Sequence, residues 1–177
     1  KDSGVEWLGM IPKEWEVKRL KNVIEFNPKK SEVNHLQSLN CSFIPMEKLR
    51  TGNMDLEYKK KIEEVYSGYT YFKDDDIVMA KVTPCFENKN IAIAKNLENG
   101  IGFGSSELYV FRKKKNTNTK YVYYFLQEER FIKLTTSQMT GAGGLKRVPS
   151  EFLIDFKLMF PNIQEQQLIV EFLDEKT

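Results

Sequence analysis

Apolar and polar positions alternate along this chain in two rhythms, and the rhythm changes from one half to the other. In "NTKYVYYFLQEERFIKLTT", Asn118–Thr136, the residues Tyr121, Tyr124, Phe125 and Ile132 fall on one face at helical spacing. Asn118 or Thr119 stands where an N-cap is needed. In "NIQEQQLIVEFLDEKT", Asn162–Thr177, a stripe of Leu168, Ile169, Phe172 and Leu173 predicts a second helix. Asn162 with Glu165 three residues later gives it a capping-box start. That stripe is still running at the last residue, which predicts a helix longer than the chain given. A short helical start is expected at Pro149–Leu153, and an amphipathic stretch on Trp15, Val17, Leu20, Val23 and Ile24. The earlier rhythm is extended. "CSFIPMEKL", "DDIVMAKVTP", "NIAIAK" and "SSELYVFRK" read as short strands, as does "DFKLMFP" ending at Pro161. The pattern as a whole is α+β: several short strands, with the helices weighted to the C-terminal half. Trp7, Trp15, Tyr121 and Phe125 sit on regular apolar spacings and are expected in the core.

Composition narrows the class. With 177 residues the chain can build one well-cored domain, with room for a small appendage. No apolar run approaches the length of a membrane span. The first residue is Lys1 rather than Met, so the numbering is expected to begin inside a longer gene product. Cys41 and Cys85 stand far apart and read as free thiols of a reducing cytoplasm. A single histidine, His35, is too few for a histidine-based metal centre and reads as a loop or surface imidazole.

Net charge is only +2, but it is unevenly spread. Residues 55–76 carry 7 acids and 4 bases, residues 81–115 carry 7 bases and 3 acids, and residues 130–150 carry 4 bases and no acid. Residues 151–177 carry 6 acids and 2 bases. Two basic segments flanked by acidic ones suit one face toward a polyanion and another toward protein or solvent; a solvated surface could give the same counts.

No catalytic pattern emerges. "GIGFGSSE" lacks G-x-G-x-x-G spacing and precedes a strand pattern, and "GAGGLKR" is not a phosphate-binding P-loop. "NPKK" and "TPCF" lack the elements of an amino-methylating loop. Asp155-Phe156-Lys157 has no partner carboxylate to make a nuclease site, and Asp155 is expected at a strand edge. A serine or cysteine nucleophile would depend on His35 alone as its base, and nothing around it resembles a nucleophile elbow or oxyanion site. What remains is a binding chain. In "SQMTGAGGLKRVPSEFL", Ser137, Gln138 and Thr140 supply hydrogen-bonding groups. Gly141, Gly143 and Gly144 permit positive φ and close backbone approach to an anion. Lys146 and Arg147 add charge where phosphates would lie. Local sequence alone leaves a mobile connection open as the other reading.

The ends of the chain carry a resemblance. "DSGVEWLGMIPKEWEVKRLKNV", Asp2–Val23, resembles the entry signature of target-recognition domains in the specificity subunit of type I restriction-modification systems. "SQMTGAGGLKRVPSEFLIDFKLMFPNIQEQQLIVEFLDEKT" is similar to their exit signature, where the recognition domain hands over to a spacer helix. "KVTPCFENKNIAIA" and "GFGSSELYVFR" match interior landmarks, so the likeness covers nearly the whole chain. Asn162 departs from the residues common there, which touches only the helix start. The segment between about 25 and 75 is individual and yields no base preference.

The resemblance implies a twisted, mainly antiparallel sheet with flanking helices: a recognition domain over 1–161 and the start of a spacer helix over 162–177. It implies a chain that is not itself an enzyme and needs no cofactor, reading one half of a bipartite double-stranded DNA site. A second recognition domain, in the same chain or in a homodimer, would read the other half. Modification subunits would bind S-adenosylmethionine and methylate adenine, restriction subunits would join through them, and the complex would be cytoplasmic with no membrane partner. On this footing the DNA-binding candidates are Lys81, Thr83, Asn88, Lys89, Ser105, Ser106, Ser137, Gln138, Thr140, Gly141, Gly143, Gly144, Lys146 and Arg147. Leu168, Ile169, Phe172 and Leu173 become the partner-helix interface, with burial against the parent domain as the rival. The alternatives are a non-catalytic protein-interaction domain or mimic of such a subunit, and an unrecognised nuclease or methyltransferase.

Overall fold

Asn118 starts the helical half through its own side chain: its Oδ1 accepts the N–H groups of Lys120 and Tyr121 at 2.9 and 3.2 Å. In the computed structural model, which describes residues 1–177, the helix it caps runs only over Thr119–Phe125. A second helix, Glu129–Gln138, follows. The single helix expected from spacing is therefore two. The reason is Glu128, whose carboxylate accepts the Phe131 N–H at 3.0 Å and so caps a new helix three residues after the first ends. Asn162 does the same for Ile163–Lys176, accepting the Glu165 N–H at 2.9 Å.

The chain divides into two compact units. The first comprises Lys1–Glu25, Lys113–Thr140 and Val148–Thr177. In it, strand Glu16–Arg19 pairs antiparallel with Lys157–Phe160, Val17 opposite Met159. The amphipathic N-terminal stretch is a strand followed by one short helical turn, Leu20–Val23. Phe131 and Phe156 meet edge to face at 5.0 Å, with Trp7 at 5.2 Å from Phe156 and Phe125 at 5.4 Å from Phe131. Gln166, fully buried, is also fully employed. Its amide N–H groups donate to Pro161 O and Asn116 O, and its Oε1 accepts the Asn118 N–H at 2.8 Å. Asp155 ends the helix Ser150–Asp155 and pairs with Lys21 at 2.7 Å, so it is not at a strand edge.

The second unit comprises Phe26–Arg112 and Gly141–Arg147. One four-stranded sheet runs in the order Lys59–Lys61, Asn40–Ile44, Ile101–Gly104, Thr70–Lys73. Its one parallel pair sets Phe103 beside Phe43. In a second sheet, Ile77–Ala80 lies between Leu108–Lys113 and Ile91–Ile93, antiparallel to both. Ile44, Phe72, Val78, Ala80, Leu108 and Val110 form the core on which both sheets rest. The overall class is α+β and mostly antiparallel, as expected, but the strands are shared among two four-stranded sheets and three two-stranded pairs. His35 is exposed, as expected of a surface imidazole, and lies in a 3-10 helix, Lys30–Leu36. Cys41 is buried and its thiol is pushed up to about 11 by burial, which keeps it unreactive.

A polar cluster ties this unit together. Arg112 forks onto Asp76, Nε to Oδ1 and Nη2 to Oδ2, both at 2.8 Å, while Nη1 donates to Glu32 at 2.8 Å. Asp76 is only 1% exposed and also accepts the Lys73 N–H. Tyr71 donates its hydroxyl to Glu32 at 3.0 Å. Burial raises the Tyr71 phenol first, and Glu32 adds to it, taking it to about 12. For Glu32, burial pushes the carboxyl up, but the hydrogen bonds from Arg112 and Tyr71 outweigh it and hold it below its ordinary 4.5. A carboxylate lowered on folding contributes stability above its unfolded value and loses it as pH falls through the folded one. Glu32→Gln is therefore expected to cost stability at neutral pH and to flatten the acid limb below about pH 4.5, as followed by urea denaturation at stepped pH. An acid limb identical to wild type would show that Glu32 carries no such linkage.

Candidate nucleic-acid interface

The glycine-rich segment is a hairpin. Strand Thr140–Ala142 returns as Leu145–Arg147 through a two-residue turn at Gly143 and Gly144, with φ of 64° and 79°. Positive φ at both central residues is the turn that matches strand twist, and glycine adopts it without strain. Gly141 is needed for a different reason: its φ is 153°, and a Cβ there would run into Leu145 O. Every residue from Gly141 to Arg147 is exposed, including Leu145 at 46%. The segment is thus a short two-stranded arm rather than an open loop.

The arm stands on the second unit through three contacts. Thr83 N–H donates to Lys146 O at 2.9 Å, Val82 and Arg147 form an isolated antiparallel bridge, and Arg147 forks onto Glu107. In the fork Nε reaches Oε2 at 2.8 Å and Nη2 reaches Oε1 at 2.6 Å. The hydrogen bond from Arg147, helped by its charge, holds the Glu107 carboxyl below its ordinary value. Glu107 O in turn accepts the Lys81 N–H at 3.0 Å, and Ser105 Oγ accepts the Glu107 N–H at 3.1 Å. One turn, Ser105–Glu107, therefore locks both Lys81 and the arm. Burial pushes the Lys81 ammonium down, opposed by Glu107, and its Nζ lies 4.8 Å from the Tyr109 ring centre.

These contacts gather Lys81, Thr83, Ser105, Ser106, Gly141, Gly143, Gly144, Lys146 and Arg147 into one neighbourhood of the second unit. Several hydroxyls there are already committed. Thr83 Oγ1 donates to Glu87 at 3.0 Å, and Ser105 Oγ closes its own turn. Ser106 is exposed and lines a cleft of about 250 Å³ with Lys81, Lys30 and Tyr69. Asn88 and Lys89 lie in the turn before Ile91–Ile93, and Thr51 Oγ1 donates to both of their carbonyls, at 3.3 and 2.9 Å. Ser137 and Gln138 are not part of the arm: they end the helix Glu129–Gln138, and Ser137 Oγ donates back to Leu134 O at 2.6 Å. The helix runs two residues past Thr136, and these two, with Thr140, fall in the first unit.

The helix Ile163–Lys176 splits its apolar stripe. Leu168 and Phe172 are 64% and 59% exposed, while Ile169 and Leu173 are half-buried and Val170 is buried in the first unit. Glu107, Lys30, Tyr69 and Thr51 were not singled out from sequence. Glu107 lies inside "GFGSSELY", but nothing local signals an arginine partner 40 residues away. Gly141→Ala is expected to open the hairpin, speeding amide exchange of Leu145–Arg147 by about tenfold or more with little change in the melting temperature. Unchanged exchange in this variant would mean the arm tolerates a side chain where its backbone crosses.

Comparison with known proteins gives the chain its relatives. The description "Type I restriction modification DNA specificity domain" matches residues 12–176. The chain is 42% identical over 164 residues to the type I restriction enzyme EcoAI specificity subunit of Escherichia coli, covering 90% of this chain and 27% of that protein. It is 38% identical, with the same coverage, to the EcoEI specificity subunit of Escherichia coli. The chain therefore spans about a quarter of the length of these curated relatives. The solved HsdS subunit from Thermoanaerobacter tengcongensis shares the fold with a TM-score of 0.72 at 17% identity, over 93% of this chain and 42% of that one.

Proposed function

The chain belongs to the family of type I restriction modification DNA specificity domains, and from that premise we propose that it reads one half of a bipartite target on double-stranded DNA. The observation that carries the reading is the arm Gly141–Arg147, exposed at every residue and bearing Lys146 and Arg147 on a two-stranded ribbon. The major groove of B-form DNA admits an α-helix or a ribbon of this kind. Glycines keep the arm thin, so its backbone can approach a base edge or phosphate closely. Lys81, Ser106 and the Asn88–Lys89 turn belong to the same unit and would fix register through phosphates, on a frame of packed sheets.

In the same proposal, residues 1–161 form the recognition part and the helix Ile163–Lys176 begins a spacer. Its exposed Leu168 and Phe172 would pack on the helix of a second recognition domain, in the same chain or in a homodimer. Modification subunits docked there would supply S-adenosylmethionine and methylate adenine, with restriction subunits joining through them. This chain's part in that chemistry is to position it. No helix is long and apolar enough to cross a membrane.

Fluorescence anisotropy on duplex DNA across a salt series tests the reading. Wild type is expected to bind at low salt and weaken linearly in log–log form, because released counterions drive association. Lys146→Ala is expected to weaken binding on all sequences alike and to reduce the salt slope by about one. Absence of duplex binding by wild type at low salt would defeat the proposal; an unchanged slope in Lys146→Ala would remove that lysine from the phosphate contacts.

A further inference from the structure

Arg147 and Lys146 are neighbours on the arm, yet their electrostatic situations differ. Lys146 is exposed and forms no ion pair, so its full charge faces solvent. Arg147 spends its Nε and one Nη2 hydrogen on Glu107, in a fork with distances of 2.8 and 2.6 Å. Its Nη1 and the second Nη2 hydrogen remain, on a side chain that is still 47% exposed. We propose that Arg147 is a base-reading side chain, aimed at a guanine edge, and that Glu107 is the positioning residue that makes it so.

The argument rests on the proposed DNA-reading function and goes one step further, from the class of ligand to the group contacted. An arginine paired with a carboxylate is nearly neutral as a unit. Coulomb attraction to a phosphate is mostly lost, because Glu107 repels the same phosphate that Arg147 would attract. Hydrogen-bond donation survives the pairing. The end-on Nη1 and Nη2 donors match two adjacent neutral acceptors, and guanine alone presents such a pair, O6 and N7, in the major groove. Lys146, an unpaired point charge on the same ribbon, is the better phosphate contact.

Glu107 is suited to hold such a group. Its side chain is 27% exposed, and its backbone is held on both sides, the N–H by Ser105 Oγ and the carbonyl by the Lys81 N–H, which fixes the point from which the carboxylate reaches Arg147. A guanidinium gripped along one edge has lost most of its rotamer freedom before DNA arrives, which lowers the entropic cost of contacting one base. The Val82–Arg147 bridge fixes the arginine backbone as well. A flexible arginine would contact whichever phosphate came near; this one keeps a single direction.

The test is selection from a duplex pool with a randomised stretch. Bound DNA is sequenced and total binding is measured in parallel, for wild type, Arg147→Ala, Arg147→Lys and Glu107→Gln. Wild type is expected to enrich a motif containing a G·C pair whose preference falls about tenfold in Arg147→Ala and in Arg147→Lys, other positions being unchanged. Arg147→Lys keeps the charge and loses only the fork, so the loss separates base reading from phosphate attraction. Glu107→Gln is expected to weaken discrimination at the same pair while raising total binding and the salt slope, since it unmasks the arginine charge. A merely structural Glu107 would lower total binding instead. If Arg147→Ala and Arg147→Lys keep the wild-type preference at every position, Arg147 is not a base reader, though DNA reading by the chain stands. If wild type enriches no motif, both the function and this assignment fall.

Discussion

The arm Gly141–Arg147 buries nothing of its own, so where it points depends on the anchorage at its base. A hairpin with exposed strands and a glycine turn gains little from burial and is marginal in water by itself. The Thr83 N–H to Lys146 O bond, the Val82–Arg147 bridge and the Arg147–Glu107 fork replace the missing core. All three converge on the segments following Ile77–Ala80 and preceding Leu108–Lys113, which are antiparallel neighbours in one sheet. The position of the arm is therefore a property of that sheet. A thin projection on a rigid frame gives freedom of approach without freedom of direction.

Charge is divided in the same economy. The excess of bases over residues 81–115 first suggests one polyanion-facing surface, but the fold distributes those bases unequally. Arg112 turns inward to Asp76 and Glu32, where its donors hold two elements of the second unit together. Lys114 donates to Lys21 O at 2.8 Å within the first unit. Lys81 is half-buried over Tyr109. The outward positive charge is thus smaller than the count implies, and its exposed members include Lys95 and Lys113–Lys115. Breaking the inward cluster would leave Asp76 charged in a nearly dry place, the costlier half of any buried pair.

Helices were the legible part of the fold. Their caps are single side chains acting within three residues, so Asn118 and Asn162 could be recognised in place. The break at Leu126–Glu128 was missed because apolar spacing runs across it, and only the Glu128 carboxylate marks the restart. Strand pairs were legible as strands but not as partners: the parallel pairing of Ile101–Gly104 with Asn40–Ile44 joins segments with no local sign of each other. The glycine segment was legible as special, through residues that only a turn or close approach requires. Its hairpin form was hidden because three glycines give no alternation to read. Glu107 was invisible as a site residue for the plainest reason, that its meaning comes from a partner far away in the chain.

The central claim is that the anchored glycine arm is the part of this chain that meets duplex DNA. Hydrogen–deuterium exchange of the protein with and without saturating duplex at low salt tests it most directly, since exposed hairpin amides exchange readily until something covers or stiffens them. The account predicts new protection concentrated over Thr140–Arg147 and the facing Lys81–Lys89 segment. DNA-induced protection that falls elsewhere and leaves Thr140–Arg147 exchanging as in the free protein would contradict it.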